Sequence, residues 1–277
     1  NFQILVSITI TLNVCFAGFV MLRKTLLLVA LAAVTCYGNP VEQGAPSDVK
    51  QIYDDVVVGE YDAAIAKTKE LVRRGKEELV SEAVDNLIKD SQRNTVEFAY
   101  KLYHRDGVDI VKNYFPIQFR ILLSGNAAKL IFKRDNLAMK LSWDADNIGD
   151  RTAFGDSKDK TTELVSWKFI PIVEDQRVYF KIFNNQWSQY LKLGTDADSD
   201  GDHKVYGSSG SETFRHYFYL IPAKFHDQVL FYIYNREYNQ GLKLGRTVDG
   251  MGDRQVFSNR GSVLGNPDMY GWYITAL

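Results

Sequence analysis

The sequence predicts an α+β, multidomain protein, with an all-helical N-terminal domain followed by an all-β C-terminal domain. Three observations predict it: a stretch of helical apolar spacing from Ser47, a later stretch alternating with period two, and a motif that recurs three times in that later half. The composition is that of a folded protein, 45% hydrophobic and 24% charged over 277 residues, with 13% aromatic side chains. A formal net charge of −1 argues against a binder of nucleic acid that works by neutralising phosphates.

The N-terminus reads as processing sequence. Met21-Leu22-Arg23-Lys24 opens a charged n-region, and the apolar run Thr25 to Val34 follows. Small residues to Gly38 then supply a cleavage position before Asn39, so residues 21–38 are expected to be a secretory signal peptide. The apolar run is short for a bilayer span, and no permanent span is expected in the mature chain. Residues 1–20 are an unexplained upstream segment, read as translated upstream sequence, with a longer leader or an N-terminal membrane anchor as the alternative.

Both cysteines, Cys15 and Cys36, fall inside the segment expected to be lost. The mature chain would then enter an oxidising compartment without disulfides, which a core of this size tolerates. Thiolate zinc sites and cysteine catalysis are excluded from it. No Asn-x-Ser/Thr acceptor occurs.

The helical domain is placed at residues 39–115. Ile52, Val56 and Val57 share one helix face, and after Gly59 the spacing resumes at Tyr61, Ala64, Ile65 and Leu71-Val72. Gly75 closes that helix. The pairs Leu79-Val80, Ala83-Val84 and Leu87-Ile88 recur every four residues and mark an amphipathic helix. Asn94 with Glu97 reads as a capping box for a helix burying Val96, Ala99, Tyr100 and Tyr103. A last short helix carries Val108, Val111 and Tyr114 before Pro116. Such helices either bury their own core or border a lipid-sized groove, with Tyr53, Tyr61, Tyr100 and Tyr103 suited to its rim.

Residues 116–277 carry the repeat. Gly149-Asp150-Arg151, Gly201-Asp202-His203 and Gly252-Asp253-Arg254 stand 52 and 51 residues apart, and Lys140-Leu141, Lys192-Leu193 and Lys243-Leu244 keep the same intervals. Trp167 to Pro171 matches Phe218 to Pro222, and Trp272-Tyr273-Ile274 is related. Val178-Phe180-Ile182 and Val229-Phe231-Ile233 alternate as strands do. Three units of about four strands each lead to the expectation of a β-trefoil.

Candidate chemistry is sparse. Asp196-Ala197-Asp198-Ser199-Asp200-Gly201 opens like a calcium loop, but the position requiring a bidentate glutamate is Gly207, and a repeated Asp/Gly turn is the simpler reading. His104, His203, His216 and His226 form no metal-ligand spacing, and Gly207 to Ser211 ends in serine where a nucleophile elbow needs glycine. No catalytic residue, metal or cofactor is assigned, and the chain is read as not an enzyme. Trp187 with Tyr190, in a hairpin, could stack on a sugar ring or fold back on the barrel.

Several strings taken together resemble the lepidopteran low-molecular-weight (30 kDa) haemolymph lipoproteins: Val56-Val57-Val58 with Tyr61-Asp62, Phe98-Ala99-Tyr100, Phe115 to Arg120, Lys133-Arg134-Asp135, Lys158 to Thr161, Val165 to Lys168, and Leu230 to Tyr238. The resemblance covers the mature chain in order. It implies a helical domain plus a β-trefoil, and a secreted, monomeric haemolymph protein of storage or yolk that carries lipids or fatty acids. It also implies, as the alternative, recognition of sugars or microbial glucans in defence. Some relatives keep a cysteine pair in the helical domain, which this chain lacks.

Overall fold

The computed structural model describes residues 47–156 and 163–277. The signal peptide, the segment before it, both cysteines and the Lys158–Thr161 string lie outside the described residues. No helix among the described residues is long and apolar enough to cross a membrane.

Six α-helices open the described chain: α1 Ser47–Val58, α2 Tyr61–Arg73, α3 Glu77–Lys89, α4 Asn94–Tyr103, α5 Val108–Tyr114 and α6 Ile117–Leu123. The spacing that predicts them also sets what they bury. Val49, Ile52 and Val56 line α1; Tyr61, Ala64, Ile65, Thr68 and Leu71 line α2; Val80, Ala83, Val84, Leu87 and Ile88 line α3. At the end of α2 the Gly75 N–H donates to Val72 and that of Lys76 to Leu71, with Gly75 at φ +66°. Glycine takes that left-handed conformation without a Cβ penalty.

Two local expectations are corrected. Asn94 and Glu97 form no capping box: Arg93 holds the N-cap position and no side chain caps the helix. Asn94 instead serves the end of α1, where its Nδ2 donates to the carbonyls of Val56 at 3.0 Å and Val57 at 2.9 Å. The last carbonyls of a helix lack i+4 partners; that of Val56 also accepts the Gly59 N–H at 3.1 Å, and only the fold brings Asn94 beside them. Secondly, the deeply buried stripe of α4 is Val96, Phe98, Ala99 and Leu102, while Tyr100 and Tyr103 are half-buried.

Twelve strands follow: β1 Ala128–Phe132, β2 Leu137–Leu141, β3 Arg151–Asp156, β4 Trp167–Glu174, β5 Arg177–Asn184, β6 Gln189–Ala197, β7 His203–Ser208, β8 Phe218–Phe225, β9 Gln228–Asn235, β10 Gly241–Leu244, β11 Arg254–Asn259 and β12 Trp272–Ala276. A short helix, α7 Pro267–Tyr270, precedes the last. All join one antiparallel sheet with the main path β10-β11-β3-β2-β1-β12-β9-β8-β5-β6-β7. β4 pairs with β1 and β5, and β3, β7 and β11 pair with one another.

The expected fold class, an all-α domain followed by a β-trefoil, is therefore corrected. The described chain is one α+β unit, dominated by a twelve-stranded antiparallel sheet with a short helical part ahead of it. Residues 117–123, read as the start of the β part, are helical, and α6 packs on β12 and β4 while α3 and α4 pack on β8. One hydrophobic core runs from Val49 to Ile274 through helices and strands alike, and the Phe119 ring meets that of Phe231 at 5.6 Å. An apolar helical stripe has the same spacing whether it faces a helix or a sheet, so the pattern alone could not tell a free-standing bundle from a layer.

The repeat itself survives as local structure. In each hairpin turn an aspartate accepts two backbone N–H groups: Asp146 from Ile148 and Asp150, Asp198 from Asp200 and Asp202, Asp249 from Met251 and Asp253, all at 2.8–3.0 Å. Gly149, Gly201 and Gly252 sit at φ +86°, +80° and +91°, which explains the glycine of each repeated hexamer. Trp167 and Trp272 are fully buried and their indole N–H groups donate to the carbonyls of Met139 and Leu242.

Candidate functional site

The four tyrosines proposed for a lipid rim do not share one environment. Tyr53 on α1 donates its hydroxyl to Asp90 at 2.6 Å; that hydrogen bond, then burial, pushes its ionisation up to about 12. Tyr61 is buried beneath Lys101, whose Nζ lies 4.7 Å from the ring centre, and burial raises it to about 12. Tyr100 and Tyr103 alone are brought together, around the His104 ring at 4.4 and 5.4 Å. These two stay half-buried, as do Val57, Ile110 and Ile121, while Val58 and Ile117 are exposed. The helical part thus leaves apolar side chains at its surface.

Trp187 and Tyr190 are separated by their partners. Trp187 lies in the turn after β5, half-buried against the core. The Arg151 guanidinium stacks 3.7 Å over its ring, and Trp143 meets it edge-on at 5.3 Å. Its indole N–H is buried without a hydrogen-bond partner. Tyr190, on β6, packs against Phe183 at 5.1 Å and under Lys181. Sequence reasoning missed Trp143, which is 64% exposed. Its signal was a tryptophan outside every repeated string, in the loop between β2 and β3.

A third feature was not foreseen. A groove of about 510 Å³ is bordered by the Asp198–Asp202 turn on one side and the β10–β11 hairpin on the other. Asp198, Asp200, Lys243, Arg246 and Gln255 supply polar walls, and Leu244, Phe257 and Tyr270 supply apolar ones. Carboxylate oxygens of Asp198, Asp200 and Asp202 come within 4.8 Å of one another. The chemistry of this cluster is already largely committed. One Asp198 oxygen takes two turn N–H groups, and Asp202 pairs with Lys243 through one oxygen and accepts the Arg260 N–H through the other. The calcium-like string therefore serves as a turn, and the ammonium of Lys243 supplies positive charge beside it.

Between the helices and the sheet lies a buried charge. Glu97 is 1% exposed, with Arg93 at 3.4 Å and Arg177 at 3.9 Å. Burial raises its carboxyl above the ordinary range, against the pull of both guanidiniums. Arg93 also lies 3.8 Å over the Tyr219 ring. This arrangement fastens α4 to the sheet.

The described residues form an α+β unit with committed polar clusters and a partly apolar helical surface. Comparison with known families is decisive about kinship: residues 47–276 match the model of the lepidopteran low molecular weight (30 kD) lipoproteins, and the chain belongs to that family. It is 54% identical over 256 residues to microvitellogenin of Manduca sexta, covering 92% of this chain and all of that one. It is 44% identical over 255 residues to low molecular mass lipoprotein PBMHP-6 of Bombyx mori, covering 91% of this chain and 99% of the relative.

Proposed function

We propose that this chain is a secreted, non-enzymatic storage and carrier protein of insect haemolymph, and that it holds lipid or fatty acid against its helical part. Kinship with proteins named lipoproteins supports the class. The observation that carries the location is that the helical part leaves Tyr100, Tyr103 and Ile110 half-buried and Ile117 and Val58 exposed. Tyr100 and Tyr103 each offer an apolar ring and a polar tip, which suits the boundary between an acyl chain and water. Displacement of a fluorescent fatty acid tests this reading. The unmodified protein is expected to bind the probe and the Tyr100→Glu/Tyr103→Glu double variant to lose it; a folded protein that binds none would refute it.

A second reading, recognition of a sugar, is favoured by the exposed Trp143 edge-on to Trp187. An exposed indole ring matches the C–H face of a pyranose. Loss of glycan binding on Trp143→Ala would support it, and binding unchanged by that substitution would remove it.

A further inference from the structure

We propose that His216 is an acid-sensitive latch. In its neutral form it holds residues 209–217, the connection between β7 and β8, against the sheet; protonated in mild acid, it releases that segment while the rest of the fold stays closed.

His216 ends a single 3₁₀ turn, Phe214–His216, and is 2% exposed. It is the one buried residue of 209–217, and 209–214 are exposed. Its Nδ1 accepts the backbone N–H of Thr213 at 3.1 Å, so the neutral ring carries its proton on Nε2. Nε2 is buried without a hydrogen-bond partner. A second proton has to enter at Nδ1, where it meets the Thr213 N–H donor against donor and breaks the contact that opens the turn. The Thr213 hydroxyl, 3.4 Å from Nδ1, lies beyond the usual range for a strong replacement. His203 is the contrasting case: it is buried too, but its Nδ1 faces the Gly194 carbonyl at 3.0 Å, a bond that a protonated ring keeps.

The surroundings favour the neutral ring. Burial is the largest influence and lowers the ionisation of His216 below the ordinary 6.5. The Thr213 backbone pulls the other way, Lys192 on β6 and Arg215 add to the lowering, and Glu212 offsets them in part. Glu212 is itself held by Lys181 of β5 at 2.6 Å, and Lys192 by Asp150. From β9, Asn235 Nδ2 donates to the Arg215 carbonyl at 2.8 Å, and the Arg236 guanidinium lies 3.9 Å over the Phe214 ring. Apart from His216, the segment is thus fastened by contacts near the surface, the kind that open locally at low cost.

The repeat shows that the imidazole is not needed to build the turn. Trp167 to Pro171 matches Phe218 to Pro222, which sets His216 on Val165, the last residue of the equivalent 3₁₀ turn Glu163–Val165. Val165 is fully buried and does not titrate. A titratable ring has replaced an apolar one at the anchor of a single repeat.

Hydrogen exchange of the full chain at pH 7.5 and 5.0, with exchange times scaled for the intrinsic rate, tests the proposal against His216→Val. The neutral ring's contribution is complete above the unfolded value of about 6.5 and is lost as pH falls toward and through the lower folded one. Opening of 209–217 in the parent should therefore rise severalfold at pH 5.0, with a ceiling of about thirtyfold set by that unfolded value. Protection of β5, β6 and β9 should persist, and His216→Val should show no such rise. Nitrogen chemical shifts of the parent give a second readout: the Nε2–H tautomer at pH 7.5 and titration below 6.5. Equal protection of 209–217 at both pH values, the same rise in His216→Val, loss of protection across all strands together, or an Nδ1–H tautomer would each overturn the latch.

Discussion

Lys140 Nζ lies 2.6 Å from the Asp253 carboxylate, joining the first repeat to the third. The same contact recurs around the sheet: Lys192 pairs with Asp150 and Lys243 with Asp202. Each lysine of a Lys-Leu pair thus reaches the aspartate of a Gly-Asp pair in a different repeat, and the three contacts close a ring. Lys140 also holds Asp156 at 2.7 Å.

Both partners of Lys140 are nearly buried, with side-chain exposures of 4% for Asp253 and 6% for Asp156. Removing the ammonium strands the Asp253 charge, so Lys140→Met is expected to cost about 3 kcal/mol, within the range for breaking a buried pair. Urea unfolding measures it. Burial works against the charged form of Lys140, but the two carboxylates outweigh it and raise its ionisation. A raised lysine contributes fully below its unfolded value of about 10.4 and loses that contribution as pH rises through the folded one. The difference between parent and Lys140→Met should therefore shrink at alkaline pH.

Glu97 has the opposite consequence for a carboxylate. Its ionisation is raised, so its contribution is present in acid and is lost as pH rises through the folded value. Glu97→Gln should be relatively destabilising near pH 4 and gain on the parent toward pH 7. Glu97→Ala leaves Arg93 and Arg177, 25% and 44% exposed, to water, and should cost less at pH 7 than at pH 4. Stability measured against pH for the three proteins checks the sign.

Tyr53, Tyr61, Tyr219 and Tyr232 are each pushed up to about 12, the last three by burial first. The folded chain keeps these protons where the unfolded chain, at about 10, has lost them, so the fold weakens as pH climbs through that interval. Tyrosinate absorbance should rise in two phases in the native protein and in one phase after denaturation.

Asn94→Ala removes both donors to the end of α1 and the acceptor for Arg177 at 2.6 Å. A loss of about 1–2 kcal/mol is expected, comparable to losing a helix cap. Thermal unfolding measures it, and Asn94→Asp, which keeps the acceptor without the donors, should recover little.

Local rules were legible from the residues. The three Asx turns, their glycines, the core tryptophans Trp167 and Trp272, and the stripes of α1 to α3 all follow from spacing. What was not legible depends on partners far along the chain. Asn94 caps carbonyls 37 and 38 residues upstream, and its own neighbour Glu97 had suggested a local box. Phe119 falls within the residues assigned to the β part, yet α6 lays it against Phe231. How the hairpins join into one sheet, and that the helices cover it, is decided by shared burial that no single repeat encodes. Trp143 and the groove of Asp200 and Arg246 depart from the repeat, and a reading guided by the repeat passes over them.

Native mass spectrometry of the protein from its own source, before and after organic extraction, tests the central claim most directly. Lipid carriage requires a mass above that of the polypeptide which extraction removes, with fatty acid or lipid in the extract. A bare polypeptide mass in both samples, from protein never exposed to solvent, would contradict it.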